Sequence, residues 1–239
     1  MFIFNSSIGK KFIQAVSGAF LILFLLLHAT INFFSVIDSF TGKFGVVGID
    51  DKLFTAGDGL FKLGCDFMST PVISIMVPVL ALGFLVHILY GIWLTIKNII
   101  ARGGYKRYEV SSKAATDSWS ARNMFVLGLI VVLGIALHLT DFWANMQLQE
   151  WAGNEAGNPY NLMSATFGSL WITILYIVWF IALWFHLTHG FWSALQTLGW
   201  NNTKWLGRWK CITSIYVTII VLGFIAIAIT AYCRTNGLC

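Results

Sequence analysis

Charge is what this sequence has least of. Asp, Glu, Lys and Arg supply 10% of its 239 residues, against about 25% in a soluble domain, which excludes an ordinary solvated globular surface. Proline is nearly as scarce: of three, only Pro78 falls well inside a long apolar run, so there is little sign of the interrupted helices around which many transporters are built. The four cysteines, at 65, 211, 233 and 239, lack metal-ligand spacing. A nucleotide-binding fingerprint, a Cys-rich cluster motif and a basic soluble face for nucleic acid are missing too.

Long uncharged runs are abundant. Residues 12–37, 72–96, 123–140, 156–203 and 211–233 hold no Lys, Arg, Asp or Glu, and each can house the ~20-residue helix that crosses ~30 Å of hydrocarbon. They predict an all-α integral membrane protein, a single transmembrane domain over 1–239 with spans at roughly 12–37, 71–97, 122–147, 166–197 and 211–233. The first run is too long for a signal-peptide core and lacks a small-x-small exit, so it reads as mature structure.

Basic residues set the expected orientation, because Lys and Arg collect in short cytoplasmic loops. With the N-terminus inside, the inner segments hold Lys10, Lys11, Lys97, Arg102, Lys106, Arg107, Lys113, Arg122, Lys204, Arg208 and Lys210, eleven of fifteen. The outer segments keep Lys43, Lys52, Lys62 and Arg234 with most of the acids. A cytoplasmic N-terminus and an outer C-terminus follow. The net charge of +5 is then a topology signal, and the basic inner loop 103–121 is either a solvated connector near anionic lipid or a docking surface. Trp93, Trp143, Trp171, Trp200 and Trp205 lie near span ends, as an interfacial aromatic belt requires.

Four of the five histidines sit one apiece in four spans. At 1.5 Å per residue, sixteen residues lift His28 roughly 24 Å from the inner start of the first span, and His138 reaches the same level in the third. The second and fourth spans run the other way, which brings His87 and His186 to the inner part of the membrane. Two level pairs result, one outer and one inner, from a hairpin pattern used twice. The iron levels of two such sites would differ by roughly 15–18 Å. Facing imidazoles on neighbouring helices are the axial ligands of a six-coordinate haem, and with no Cys-x-x-Cys-His the cofactor would be haem b, two per chain. His189 shares much of the face of His186, so either could be the inner ligand; His186 is the favoured one. A four-helix haem-binding core is expected, with the histidine-free fifth helix peripheral. Gly18, Ala19, Gly83, Gly91, Gly134 and Gly190 either admit a flat ring or serve helix packing. Gln14 and Ser17 share a face near the inner end of the first span and are candidates to bond haem propionates. Asn32, Asp38, Asp141 and Asn145 stand near the outer level, where a quinone would find proton-exchanging groups. No catalytic residue is assigned.

The first-span pattern Ser17-Gly18-Ala19-Phe20 leading to His28, and the fourth-span stretch Phe185-His186-Leu187-Thr188-His189-Gly190-Phe191-Trp192-Ser193-Ala194-Leu195-Gln196-Thr197-Leu198-Gly199-Trp200, resemble the cytochrome b membrane subunit of succinate:quinone oxidoreductases. Within that family the single-chain, five-helix, di-haem type is the most similar, over essentially the whole chain. The resemblance implies that His186, four residues before Gly190, pairs with His87 around the inner haem, and His28 with His138 around the outer. It implies docking of a flavoprotein subunit and an iron–sulfur subunit on the cytoplasmic side of a bacterial inner membrane. Dicarboxylate chemistry, succinate oxidation or fumarate reduction, would occur on those partners. Electrons would pass between the iron–sulfur subunit and a membrane quinone near the outer haem, with menaquinone the expected type. Some members carry an acid two residues before the fourth-helix ligand, linked to proton movement; here that position is Trp184.

Two rivals remain at this point. The haem b anchor of another quinone-linked dehydrogenase shares the logic but usually distributes its histidines differently. A proton-coupled secondary transporter also places histidine inside a membrane. Cys233 and Cys239, both expected outside, could pair in an oxidising compartment.

Overall fold

The protein is described here from a computed structural model, over residues 6–41, 59–104, 118–200, 202 and 204–238. Lys43, Lys52, most of the basic inner loop with Lys106, Arg107 and Lys113, and Cys239 with its expected pairing lie outside these residues. All regular structure among the described residues is helical. In chain order the helices are α1 (Ser7–Phe40), α2 (Leu60–Met68), α3 (Pro71–Ala101), α4 (Trp119–Arg122), α5 (Met124–Asp141), α6 (Gln147–Trp151), α7 (Pro159–Phe167), α8 (Leu170–Thr197) and α9 (Trp205–Thr235). A 3₁₀ turn, Trp143–Asn145, follows α5.

Five helices, α1, α3, α5, α8 and α9, are long and apolar enough to cross a membrane. Their ends obey local rules. The Ser6 side chain caps α1 by accepting from the Gly9 N–H at 2.9 Å, and Pro71 opens α3 at a position where its missing N–H costs nothing. Pro78 is accommodated inside α3, which continues to Ala101. The helices also extend past the charge-free runs. α9 begins at Trp205 rather than near 211, because Arg208 and Lys210 lie over the rings of Trp205 and Trp192, at 5.0 and 4.6 Å, and so keep their charges at the helix end. The segment before α8 forms the separate helix α7, capped by Asn158.

Packing follows a square with one filled side. α1 pairs with α3, α5 pairs with α8, and α1 meets α8, while α3 and α5 touch only lightly. α9 packs along both α1 and α8. α9 thus stands at one side of the four histidine-bearing helices. α9 is the best buried of the five, with Val217 and Ala228 fully covered, whereas α3 has no buried residue. The reason is residue size: between helices in lipid the attraction is close van der Waals packing, and Thr213, Ala228 and Ala231 on α9 allow it. Absence of histidine says nothing about that face.

One end of the bundle is closed by α2 and α7. Asp38, 1% exposed, accepts hydrogen bonds from the backbone N–H groups of Leu60 (3.0 Å) and Phe61 (2.8 Å), so it caps α2 from the end of α1. Phe61 packs edge-on against Tyr160 of α7. Burial pushes the Tyr160 phenol up to about 12, with the Asp38 and Cys65 charges adding to it. Burial likewise pushes the Cys65 thiol up to about 11, helped by Asp66.

Candidate functional site: two histidine pairs inside the bundle

The helix pairing described above brings the four histidines of the long apolar helices together two by two. His28 of α1 faces His138 of α5 with ring centroids 5.7 Å apart. His87 of α3 faces His186 of α8 at 6.4 Å. His87 also lies beside Ser17 of α1, and His28 stands eleven residues further along that helix, so the two pairs are separated by about 16 Å along the bundle.

A metal–imidazole bond is about 2.0 Å, and a ring nitrogen sits about 1.2 Å from its ring centre, so imidazoles holding one ion from opposite sides have centroids about 6.4 Å apart. Both pairs are close to that span. Edge-to-face packing of aromatic rings also gives about 4.5–7 Å, so distance serves both readings and the polar atoms must separate them. The His186 Nδ1 is buried without a hydrogen-bond partner, which is uncommon for a ring kept only for packing. His87 is different. Its Nδ1 lies 3.3 Å from the Ser17 hydroxyl and its Nε2 lies 3.3 Å from the Gln14 side-chain nitrogen.

Two glycines lie against the rings of the His87–His186 pair. A Cβ on Gly18 would lie 3.1 Å from Cε1 of His87, and one on Gly128 would lie 3.5 Å from Cε1 of His186, so both rings rest close to a neighbouring backbone. Gly134 instead makes room for the Trp179 indole, which a Cβ would meet at 2.0 Å. Gly83 does the same for Phe20, Gly91 lies nearest the Gln14 amide, and Gly190 faces open space.

The surroundings of the pairs differ. Phe24, Phe142, Tyr176, Trp179 and Phe224 ring the His28–His138 pair at 5.1–6.5 Å between centroids. Around His87 the neighbours are polar. His189 is turned away from this group, with Nδ1 3.3 Å from the Ser118 hydroxyl and its ring against Trp192. Trp184 donates its indole N–H to the Thr218 hydroxyl of α9 at 2.9 Å.

Of the residues expected near the quinone, Asp141 accepts a 2.7 Å hydrogen bond from the Tyr176 hydroxyl, and Tyr176 is itself in ring contact with His138. Tyr176 is a residue that sequence reasoning missed. The side-chain nitrogen of Asn32 donates to the carbonyl of His28 on its own helix, and that of Asn145 donates to the carbonyls of Thr140 and Asp141. Asp38 is occupied with capping α2.

Among the described residues no three His, Cys, Asp or Glu side chains converge as a metal site. Each histidine pair therefore offers two donors, the number suited to an ion whose other positions are filled by a macrocycle. The residues present fit a haem on donor type and on spacing. The chain matches no protein-family model, no curated protein and no solved structure.

Proposed function

We propose that this chain is the di-haem cytochrome b membrane anchor of a succinate:quinone oxidoreductase, in a bacterial cytoplasmic membrane with its N-terminus inside. The observation that carries the reading is the pairing of four apolar-span histidines into two facing couples, 5.7 and 6.4 Å between ring centres. His87 and His186 would hold the inner haem, His28 and His138 the outer. When bound, the two haems supply one-electron carriers between the iron–sulfur subunit and a membrane quinone.

The chain's own residues support the rest of the reading. α3 and α5 touch only lightly, so that edge of the bundle is where a flat group could reach the inner pair. The aromatic wall of the His28–His138 pair excludes water from it. Asp141, half-buried at the end of α5 and held by Tyr176, is a group that can take up or release a proton at a quinone oxygen; Tyr176 is 1% exposed and acts as its positioning residue. Lys10 and Lys97 over Trp93, Arg208 over Trp205 and Lys210 over Trp192 all gather at the end where α1 begins, as a cytoplasmic N-terminus requires. Dicarboxylate chemistry belongs to the flavoprotein partner. With Trp184 bonded to Thr218, that position offers no carboxylate to move a proton through α8.

Purification of the tagged chain from its native membrane tests this reading. Co-purification of a flavoprotein and an iron–sulfur protein with succinate:quinone activity is expected. A chain isolated intact with a different dehydrogenase would favour the related anchor, and one isolated alone with proton-coupled solute uptake would favour a transporter.

A further inference from the structure

We infer, resting on the reading above, that Ser17 orients the ring of His87 and fixes its tautomer, and that Gln14 is the side chain that gives way when the ring binds a metal. With the Gln14 amide nitrogen toward His87, the hydrogen bonds around that ring have one consistent solution. Ser17 Oγ lies 3.1 Å from the carbonyl oxygen of Gln14, which can only accept, so the single hydroxyl proton points there. Toward His87 Nδ1, at 3.3 Å, the same oxygen is left to accept. Nδ1 of the neutral imidazole therefore carries the ring proton, and Nε2 keeps its lone pair. The Gln14 amide, 3.3 Å from Nε2, is the donor that meets it.

This is the arrangement a metal-ligating histidine needs, with the far ring nitrogen donating to a fixed acceptor and the near one free to bind. Ser17 is 8% exposed, and Gly18 beside it lets the ring lie close to the α1 backbone. Gln14 and a metal cannot both occupy Nε2. Its hold is weak: the contact is at the long end of hydrogen-bond distances, and its Oε1 is buried without a partner. Rotation of Gln14 thus costs one long hydrogen bond. His186, whose Nδ1 has no partner, lacks such a holder. The two ligands of the inner site are unequal, and α1 controls the one it does not carry.

The test uses the full-length chain purified in detergent with haem available during expression, comparing the wild type with Ser17→Ala, Ser17→Thr and Gln14→Leu. Haem per chain, the midpoint potential of each haem, and the ring-nitrogen chemical shifts of ¹⁵N-histidine-labelled chain are read. Ser17→Ala is expected to weaken inner-haem binding by about 10–100-fold and to move the inner potential upward while the outer one stays. Ser17→Thr should restore both, and in haem-free Gln14→Leu the ¹⁵N shifts should still show His87 Nδ1 as the protonated ring nitrogen. Equal inner-haem affinity and potential in wild type and Ser17→Ala would overturn the inference while leaving the di-haem reading intact. Loss of both haems from Ser17→Ala with no rescue by Thr would likewise overturn it, as a fold defect. A wild-type chain with no haem would overturn the parent reading and this assignment with it.

Discussion

An imidazole inside an apolar helix must be satisfied by a partner, and the four in this protein differ in how that is done. His87 bonds through both ring nitrogens, while Nδ1 of His186 has no partner. If the pairs are haem sites, each loss should be local: His28→Ala or His138→Ala removes the outer haem and keeps the inner, and His87→Ala or His186→Ala does the reverse, read by haem count per chain. Equal loss of both haems from all four variants would contradict the pairing. His189→Ala should keep two haems, because that ring faces Ser118 and Trp192. Tyr176→Phe should also keep both while slowing quinone turnover on the order of a hundredfold, since it frees the Asp141 carboxylate and keeps the ring against His138; unchanged turnover would remove Asp141 and Tyr176 from the quinone reaction. The histidines stood out in the sequence because polar groups in apolar spans are few. Tyr176 did not, being one aromatic among many, and only the crossing of α5 and α8 sets it beside Asp141. Gln14 and Ser17 were visible as a polar face, but their target, His87, depends on which helix lies next to α1.

Elements were legible where composition alone decides them. Charge-free runs are enough to locate five long helices, and the ends shifted where cations fold back over tryptophans, as at Trp205. Packing order was not legible, because α9 is buried against α1 and α8 through small residues and close fit rather than through polar markers. The cap at the far end from the start of α1 was hidden as well: α2 is a short helix whose N-terminus is held by a carboxylate from another helix. Asp38→Ala should therefore destabilise the fold by about 2 kcal/mol, through a lost cap and two backbone donors left unpaired, that of Phe61 buried, measurable by denaturant unfolding in detergent; no change would mean the cap is redundant. Cys65 and Tyr160 in the same cap have pKa values raised above their ordinary 9.0 and 10.0, to about 11 and about 12. Folded chains then hold these protons where unfolded ones release them, so their contribution is full below about pH 9 and is lost as pH rises toward 12. Maleimide labelling of Cys65 at pH 7 should accordingly be slow in the folded protein and become fast on unfolding; fast labelling of the folded chain would show an accessible thiolate and contradict the burial.

At the scale of the whole molecule, the bundle places one histidine pair near the end where α1 begins and a second about 16 Å further along, with basic side chains gathered over tryptophans at the first end and the capping helices α2 and α7 at the other. That polarity is what an electron path from a cytoplasmic partner to a quinone near the opposite face would use. Each proposed role, for inner ligands, outer ligands, Asp141 and the basic end, depends on haem occupying the two pairs. The most direct test is a reduced-minus-oxidised spectrum with pyridine haemochrome quantitation on the detergent-purified chain. Two b-type haems per chain is the predicted result; a well-folded chain with no haem would contradict the account and leave the four histidines as a hydrogen-bonding or proton-carrying set.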